Sequence, residues 1–158
     1  MINASSTLLI VDKYVDECTE GLNKEVINGG NIYECIIADE CFIGPFVEIQ
    51  KGVTIGKYSK IQSHTFICEL VCIGEYCFIG HGVMFINDLF RAGKPAGGDK
   101  SHWHKTIIGS KVSIGSNSTI LPVDICDEVV IGAGSVVTKS IYRKGIYAGN
   151  PARFLREI

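Results

Sequence analysis

The feature that most constrains this chain is a large apolar residue at every sixth position over most of its length. These residues are Ile37, Ile43, Ile49, Ile55, Ile61, Ile67, Ile73, Ile79 and Phe85, then Ile108, Ile114 and Ile120, then Ile125, Ile131 and Val137. A period of six fits neither an amphipathic helix, which repeats every 3.6 residues, nor the alternation of an ordinary strand. It fits a triangular solenoid in which each hexad forms one short strand and one corner, and three hexads complete a coil.

The other positions of the hexad favour the same architecture. The fourth residue after each apolar one is small or β-branched, as in Cys41, Val83 and Ser118, and is expected near a corner, where space is limited. Glycine often follows the apolar residue, as in Gly80 and Gly115, and is expected to supply backbone freedom at the bend. Nine consecutive positions in register argue against a β-sandwich with coincidental spacing. The sequence therefore predicts an all-β fold, a parallel β-helix whose coils stack about 4.8 Å apart.

Two interruptions of the repeat define the rest of the domain plan. Residues 120–131 run one residue short of two hexads, which predicts an unusually tight corner near Pro122. Residues 88–106 carry no repeat, and so long an irregular stretch is usually functional or disordered. We expect one domain, with an N-terminal cap over residues 1–30 that covers the open first coil, the β-helix with its inserted loop over 31–140, and a C-terminal cap segment over 141–158.

Composition excludes several classes of partner. The 158 residues carry a net charge of −2, which provides no basic surface for nucleic acid or an anionic membrane. No apolar run approaches the roughly 18–20 residues of a membrane span. The apolar stretch 7–11 ends at Asp12, too early for a signal peptide. Without that signal, the seven cysteines, none in a C-x-x-C pair, are interpreted as free thiols in a reducing cytoplasm.

Over residues 32–153 the pattern [Ile/Val]-Gly-x-x-[Ser/Thr/Val]-x resembles the left-handed parallel β-helix of the hexapeptide-repeat acyltransferases. Segments 79–88, 114–120, 131–139 and 149–153 resemble its sugar-nucleotide N-acetyltransferase branch. That resemblance implies transfer of acetyl from acetyl-CoA to the amine of a dTDP- or UDP-linked 3-amino-deoxyhexose, for surface polysaccharides such as O-antigen. It also implies a homotrimer with sites between subunits, and a loop that reaches over a neighbouring subunit near the substrate.

Three residues are candidates for the catalytic step. Positions 18 apart stack, so Glu69 is expected one coil below Asn87 on the same edge. A carboxylate and an amide placed in this way can orient an amine. His81 is the alternative base, because histidine as a residue type titrates near neutrality and O-acetylating members of the superfamily rely on one. A merely solvated corner remains open for all three, and we expect Asn87 and Glu69 to matter more than His81.

The resemblance also suggests binding residues. Asp88, Arg91 and Trp103, in the loop, are expected to contact the substrate. His64, interpreted as lying inside a strand, is a further substrate candidate, although a structural role is open. The corners at Ser116, Ala133 and Gly134 are expected to face the pantetheine of coenzyme A, with the cations Lys139 and Arg153 near its phosphates. An ordinary surface role is the alternative for each of these cations.

A metal site is not expected. His102 and His104 form an H-x-H pair, and the γ-class carbonic anhydrases share the fold with three zinc-binding histidines. Those enzymes need an H-x4-H pair, and no two histidines of this chain are five positions apart.

The sequence thus favours an N-acetyltransferase in which the free amine attacks the thioester directly. The enzyme would contribute proximity and donors for the oxyanion. Two alternatives stay open: an O-acetyltransferase on a sugar or serine with His81 as base, and a non-catalytic solenoid that serves as an assembly module.

Overall fold

The computed structural model describes residues 29–158 and, before them, the backbone of residues 15–16 and 25–26. The strands form three sheets, and the chain visits them in turn. Sheet A contains Val15–Asp16 (β1), Asn31–Tyr33 (β3), Glu48–Ile49 (β6), Phe66–Ile67 (β9), Met84–Phe85 (β12), Thr119–Ile120 (β15) and Val136–Val137 (β18). Sheet B contains Glu25–Val26 (β2), Phe42–Ile43 (β5), Lys60–Ile61 (β8), Phe78–Ile79 (β11), Ser113–Ile114 (β14), Val129–Ile131 (β17), Gly145–Ala148 (β19) and Arg153–Arg156 (β20). Sheet C contains Ile36–Ile37 (β4), Thr54–Ile55 (β7), Val71–Ile73 (β10), Thr106–Ile108 (β13) and Asp124–Ile125 (β16).

Each coil runs from sheet C to sheet B to sheet A, so the three sheets are the walls of a triangular prism. Neighbouring strands within each sheet are parallel, except that β20 is antiparallel to β19. The helical structure among the described residues is a single 3-10 turn at Lys100–His102, inside the long loop. The predicted all-β, parallel β-helix with one extruded loop is confirmed.

The core is the ladder of apolar residues that the six-residue period marks. Every member from Ile37 to Val137 is buried, and Ile43, Ile49 and Ile114 have no exposed surface. The small residue four positions later is buried as well, as at Val83 and Ser118. Removal of this apolar surface from water is the main stabilising contribution, since a fully buried isoleucine contributes about 1.5–3 kcal/mol.

Two hydroxyl groups at the small position find partners in the next coil. Ser59 Oγ donates to the Gly74 carbonyl at 2.9 Å, and Thr65 Oγ1 donates to the Gly80 carbonyl at 2.9 Å. An unpaired buried hydroxyl would cost about 1–3 kcal/mol. Serine and threonine can therefore replace valine where the stacked coil supplies an acceptor, as it does for Ser59 and Thr65; at Thr106 the buried Oγ1 has no partner among the described residues.

The expected role of the hexad glycines was wrong. Residues with positive φ lie two positions later, at the third corner residue, as in His64 (φ 62°), Asn117 (φ 58°) and Gly134 (φ 67°). The glycines that follow the apolar residues have no positive φ, but a Cβ on Gly115 would lie 2.4 Å from the Ala133 nitrogen. Glycine is required there because the next coil passes too close for any side chain.

The register between coils records both interruptions of the repeat. Ile55 pairs with Ile73, 18 residues on; Ile73 pairs with Ile108, 35 residues on; Ile108 pairs with Ile125, 17 residues on. The first step is a complete coil, the second contains the long loop, and the third is one residue short. The short step arises at Pro122, where three residues rather than four connect β15 to β16, which confirms the predicted tight corner.

The two ends of the prism differ. At the C-terminal end, Ile141 bridges to Ile125 before β19 joins sheet B, and β20 folds back along β19. At the other end, β1 pairs with β3 and β2 pairs with β5, both in parallel. The rest of the proposed cap over residues 1–28 lies outside the described residues, so the cap boundaries stay a prediction. Within the described chain, no helix has the length and hydropathy to span a bilayer.

Candidate functional site

The corner between sheets B and A presents an exposed histidine that is held by its neighbours in adjacent coils. His81 follows β11, and its Nδ1 lies 2.9 Å from Oγ of Ser63, one coil below. Its backbone N–H donates to Oγ of Ser116, one coil above, at 3.2 Å. The Ser63 contact occupies one ring nitrogen and fixes the ring, and no hydrogen bond to Nε2 is seen among the described residues. An exposed imidazole with one nitrogen anchored can exchange a proton through the other.

The predicted coenzyme A residues continue the same corner. Ser116 lies one coil above His81 and Ala133 one coil above Ser116, and the Gly134 N–H donates to the Ser116 carbonyl at 2.8 Å. Ala133 and Gly134 are exposed. We call Ser63, His81, Ser116 and Ala133 the histidine column. Successive coils are about 4.8 Å apart, so a base candidate and two pantetheine candidates lie along one line.

The corner between sheets A and C holds the other predicted pair. The Asn87 side-chain amide donates to the backbone carbonyl of Glu69 at 3.3 Å, so the expected adjacency is confirmed. The Glu69 carboxylate is 19% exposed and receives Lys100 Nζ at 2.7 and 2.8 Å on its two oxygens. Lys100 also lies 5.2 Å from the centre of the Trp103 ring. Glu69 is therefore half of an ion pair that fastens the loop to the prism.

The three catalytic candidates do not form one cluster within a chain. His81 precedes β12 and Asn87 follows it, at opposite edges of sheet A. One amine cannot contact both corners of the same prism. A single catalytic step in one chain must use either His81 or the pair of Glu69 and Asn87.

The long loop is organised around Asp88. The Asp88 carboxylate accepts hydrogen bonds from the backbone N–H groups of Ala96 (2.8 Å) and Phe90 (2.9 Å), which hold the pKa of Asp88 below its ordinary value. Asp88 also forms a backbone bridge with Trp103, and the His104 N–H donates to the Asn87 carbonyl at 2.9 Å. The two ends of the loop thus lie side by side, and the hydrogen bonds of Asp88 stabilise the conformation of the loop.

The remaining predicted binding residues are scattered. His64 was wrongly interpreted as a strand residue: it is an exposed corner residue between β8 and β9, with its ring 5.1 Å from that of Phe46. Arg91 is exposed on the loop. Lys139 is exposed at the corner that follows sheet A, and Arg153 is exposed at the start of β20. The two proposed phosphate cations are therefore not on the histidine column.

Two residues of the site escaped the sequence interpretation. Ser63 was detectable, because it lies 18 positions before His81 and the stacking rule places it directly below. Lys100 carried no signal, because the loop has no repeat from which its position could be derived. No group of three or more histidine, cysteine, aspartate or glutamate side chains that could hold a metal ion occurs in the described part of the chain.

Comparison with known proteins identifies the repeat. The model of the bacterial transferase hexapeptide (six repeats) matches residues 34–69, and the model of the hexapeptide repeat of succinyl-transferase matches residues 105–139. The bifunctional protein GlmU of Streptococcus uberis is 32% identical over an alignment of 157 residues that covers 94% of this chain and 32% of that protein. The chain therefore spans about a third of the length of the curated relatives it matches.

Solved structures share the fold. AntD, an N-acyltransferase from Bacillus cereus in complex with dTDP and coenzyme A, is 26% identical with a TM-score of 0.69, over 87% of this chain and 83% of that one. Perosamine N-acetyltransferase from Caulobacter crescentus, in complex with CoA and GDP-perosamine, has a TM-score of 0.72 at 17% identity, over 86% of this chain and 58% of that one. The repeat, the stacked register and these matches agree: residues 34–69 and 105–139 match hexapeptide-repeat models, and the chain shares the fold of these solved structures.

Proposed function

We propose that this chain is an acetyl-CoA-dependent acyltransferase that acetylates the amine of a nucleotide-linked 3-amino-deoxyhexose, in the assembly of a surface polysaccharide. The observation that carries the proposal is the histidine column. The exposed imidazole of His81, which Ser63 orients, lies in line with the small corner residues Ser116 and Ala133 of the next two coils. The choice of an amine is supported by the likeness to AntD, an N-acyltransferase whose structure holds dTDP and coenzyme A together. We further propose that three copies assemble and that the sites lie between them.

The reaction needs a nucleophile, a leaving group and a proton acceptor. The amine nitrogen forms a bond to the thioester carbonyl carbon, the carbon–sulfur bond breaks, and coenzyme A leaves as the thiol. One proton must leave the nitrogen during this exchange. His81 is suited to accept it in the tautomer in which Nδ1–H donates to Ser63 Oγ, because Nε2 then carries the free lone pair. A general base of this kind contributes about 10²- to 10⁴-fold in rate.

Glu69 and Asn87 have a different role in this proposal. The Glu69 carboxylate already balances the Lys100 ammonium at 2.7 Å, and the Asn87 amide already donates to the Glu69 backbone. A base that must first release its cation is a poor proton acceptor. We therefore propose that Glu69 and Asn87 position the loop, which reverses the weight that the sequence gave them relative to His81.

An O-acetyltransferase is the second candidate, and the anchoring of His81 is the observation that favours it. A hydroxyl group is a much weaker nucleophile than a free amine and depends more strongly on a positioned base. The two functions differ in the acceptor, so matched dTDP- and UDP-sugars that carry an amine or a hydroxyl at the same carbon distinguish them.

The test compares the kinetics of the unmodified chain and its variants with acetyl-CoA and a panel of dTDP- and UDP-amino sugars. The release of free thiol measures the rate. His81→Ala is expected to lower kcat/KM by about 10²- to 10⁴-fold, mainly in kcat. Glu69→Gln is expected to raise KM for the sugar several-fold with kcat largely kept, because it frees the loop. Asp39→Asn is the matched control: Asp39 forms an ion pair with Lys57 at the corner between sheets C and B, and its loss should change neither constant.

Two results would contradict the proposal. If Glu69→Gln and Asn87→Ala are nearly inactive while His81→Ala keeps most activity, the base is at the loop corner. If no acceptor releases thiol and coenzyme A does not raise the melting temperature, the chain is a solenoid module without catalysis.

A further inference from the structure

The long loop forms a cavity of its own that is open to solvent, separate from the histidine column. The cavity has a volume of about 230 Å³ and is formed by loop residues from both arms of the excursion. Its polar lining consists of Asp88, Arg91, Lys94, Ser101, His102 and His104. Sites for complete drug-sized ligands measure roughly 300–1,000 Å³, so this cavity has the size for one polar group of a larger molecule.

The lining is rich in positive charge, although the chain as a whole has a net charge of −2. Arg91 and Lys94 are exposed cations, and His102 and His104 add two groups that can become cationic. A fifth basic side chain nearby, Lys100, forms its ion pair with Glu69 on the prism and does not line the cavity. The positive charge of the cavity is therefore local, and the loop fold itself brings it together.

One carboxylate lies in the same lining, and its charge is largely compensated. Both oxygens of Asp88 accept backbone N–H groups, from Phe90 at 2.9 Å and from Ala96 at 2.8 Å. Outside the lining, Asp99 Oδ2 lies 3.6 Å from His102 Nδ1 and balances that ring when it is protonated. Within the lining, Arg91 and Lys94 are thus cations for which the described residues provide no carboxylate partner, and both remain available to an anion.

We propose that the loop cavity is a phosphoryl-binding subsite, in which Arg91 and Lys94 hold a phosphate or diphosphate group with support from His104. A guanidinium binds phosphoryl oxygens through two parallel hydrogen bonds, and an ammonium adds a mobile point charge. The chemical source depends on the proposed function: it is either the diphosphate of the sugar nucleotide or the phosphates of coenzyme A. The position of the loop, away from the histidine column, favours the sugar nucleotide.

The experiment measures binding of dTDP, inorganic pyrophosphate and coenzyme A by calorimetry, with the full chain and no acetyl transfer. The double variant Arg91→Ala and Lys94→Ala is expected to weaken binding of dTDP and pyrophosphate at least 10-fold. Lys105→Ala is the matched control, because Lys105 is an exposed cation of the same loop that does not line the cavity. It is expected to change these affinities less than 2-fold. Circular dichroism checks that each variant keeps its fold.

Each outcome decides the matter. If the double variant loses affinity for dTDP but not for coenzyme A, the subsite binds the diphosphate of the nucleotide. If it loses affinity for coenzyme A but not for dTDP, the subsite binds the phosphates of coenzyme A. Equal affinities in the double variant and Lys105→Ala, or no binding of any probe by the unmodified chain, overturn it. A chain that binds these ligands through Arg91 and Lys94 but never releases thiol would support the subsite and refute the acyltransferase proposal. Failure of the subsite and failure of the acyltransferase proposal are therefore distinguishable.

Discussion

A single methyl group at Gly115 tests why the hexad contains glycine. The ideal Cβ of Gly115→Ala would lie 2.4 Å from the Ala133 nitrogen and 2.7 Å from the Ala133 Cα. Both atoms belong to the backbone of the next coil, so neither can rotate away. The φ of Gly115 is not positive, and alanine can adopt it without strain. Two effects of opposite sign therefore compete at this position.

The magnitudes predict which effect wins. Restriction of the unfolded chain would stabilise the alanine variant by about 0.4–1 kcal/mol. Overpacking of a tight interior costs about 1–3 kcal/mol, and here the backbone of a complete coil must move, so the upper half of that range applies. We expect net destabilisation of about 1–2 kcal/mol, which for a chain of this size lowers the melting temperature by roughly 2–8 °C.

The assay is chemical and thermal unfolding followed by circular dichroism, at one fixed protein concentration because assembly would shift the midpoint. Gly132→Ala is the graded comparison: its Cβ would meet one side-chain atom, Ala148 Cβ at 2.8 Å, and nothing else closer than 3.6 Å. It should cost less than Gly115→Ala. A Gly115→Ala variant as stable as the unmodified chain would refute the steric explanation and return glycine to the role of flexible hinge.

Two further predictions concern assembly and the loop. Light scattering at micromolar concentration should return about three times 17.2 kDa, because the proposed sites lie between three equivalent copies; a fully active monomer would contradict it. Trp103, the only tryptophan, should report the loop by its fluorescence. Because the pKa of Asp88 is lowered in the folded loop, its contribution is present above the ordinary aspartate pKa and is lost as pH falls through the folded pKa. The emission should therefore change only on strong acidification, whereas Asp88→Asn should show the altered emission at neutral pH; identical emission in the two proteins would show that Asp88 does not organise the loop.

The period of six was sufficient to predict the β-helix. The apolar residue of each hexad decides which side chains are buried and which residues pair between neighbouring coils. From Ile37 to Val137 each predicted inward position is buried, and the missing residue near Pro122 appears as the shorter corner. The same phase also assigns His64 to a corner, three positions after Ile61, so its interpretation as a strand residue was an error of reasoning rather than a limit of the sequence.

The site was less predictable, for physical reasons. Stacking by 18 residues correctly placed Glu69 beneath Asn87, and it would have placed Ser63 beneath His81. The cation that neutralises Glu69 belongs to the loop, where no period fixes the position of Lys100. The reason for glycine was missed because it depends on the distance between coils, a property of the stacked structure and not of any single hexad.

The closed ends of the loop have a consequence for how such a protein can diverge. The His104 N–H bonds to the Asn87 carbonyl at 2.9 Å, and the strands on either side, β12 and β13, each pair with the coils above and below. Apart from the Glu69–Lys100 ion pair, the scaffold therefore constrains the loop at the one point where the chain leaves and returns. Since the entropy of loop closure grows slowly with length, residues 88–103 form an interchangeable cassette. If the loop binds the acceptor as proposed, acceptor preference can change by replacement of the cassette, while the six-residue repeat beneath it stays under its own, separate constraints.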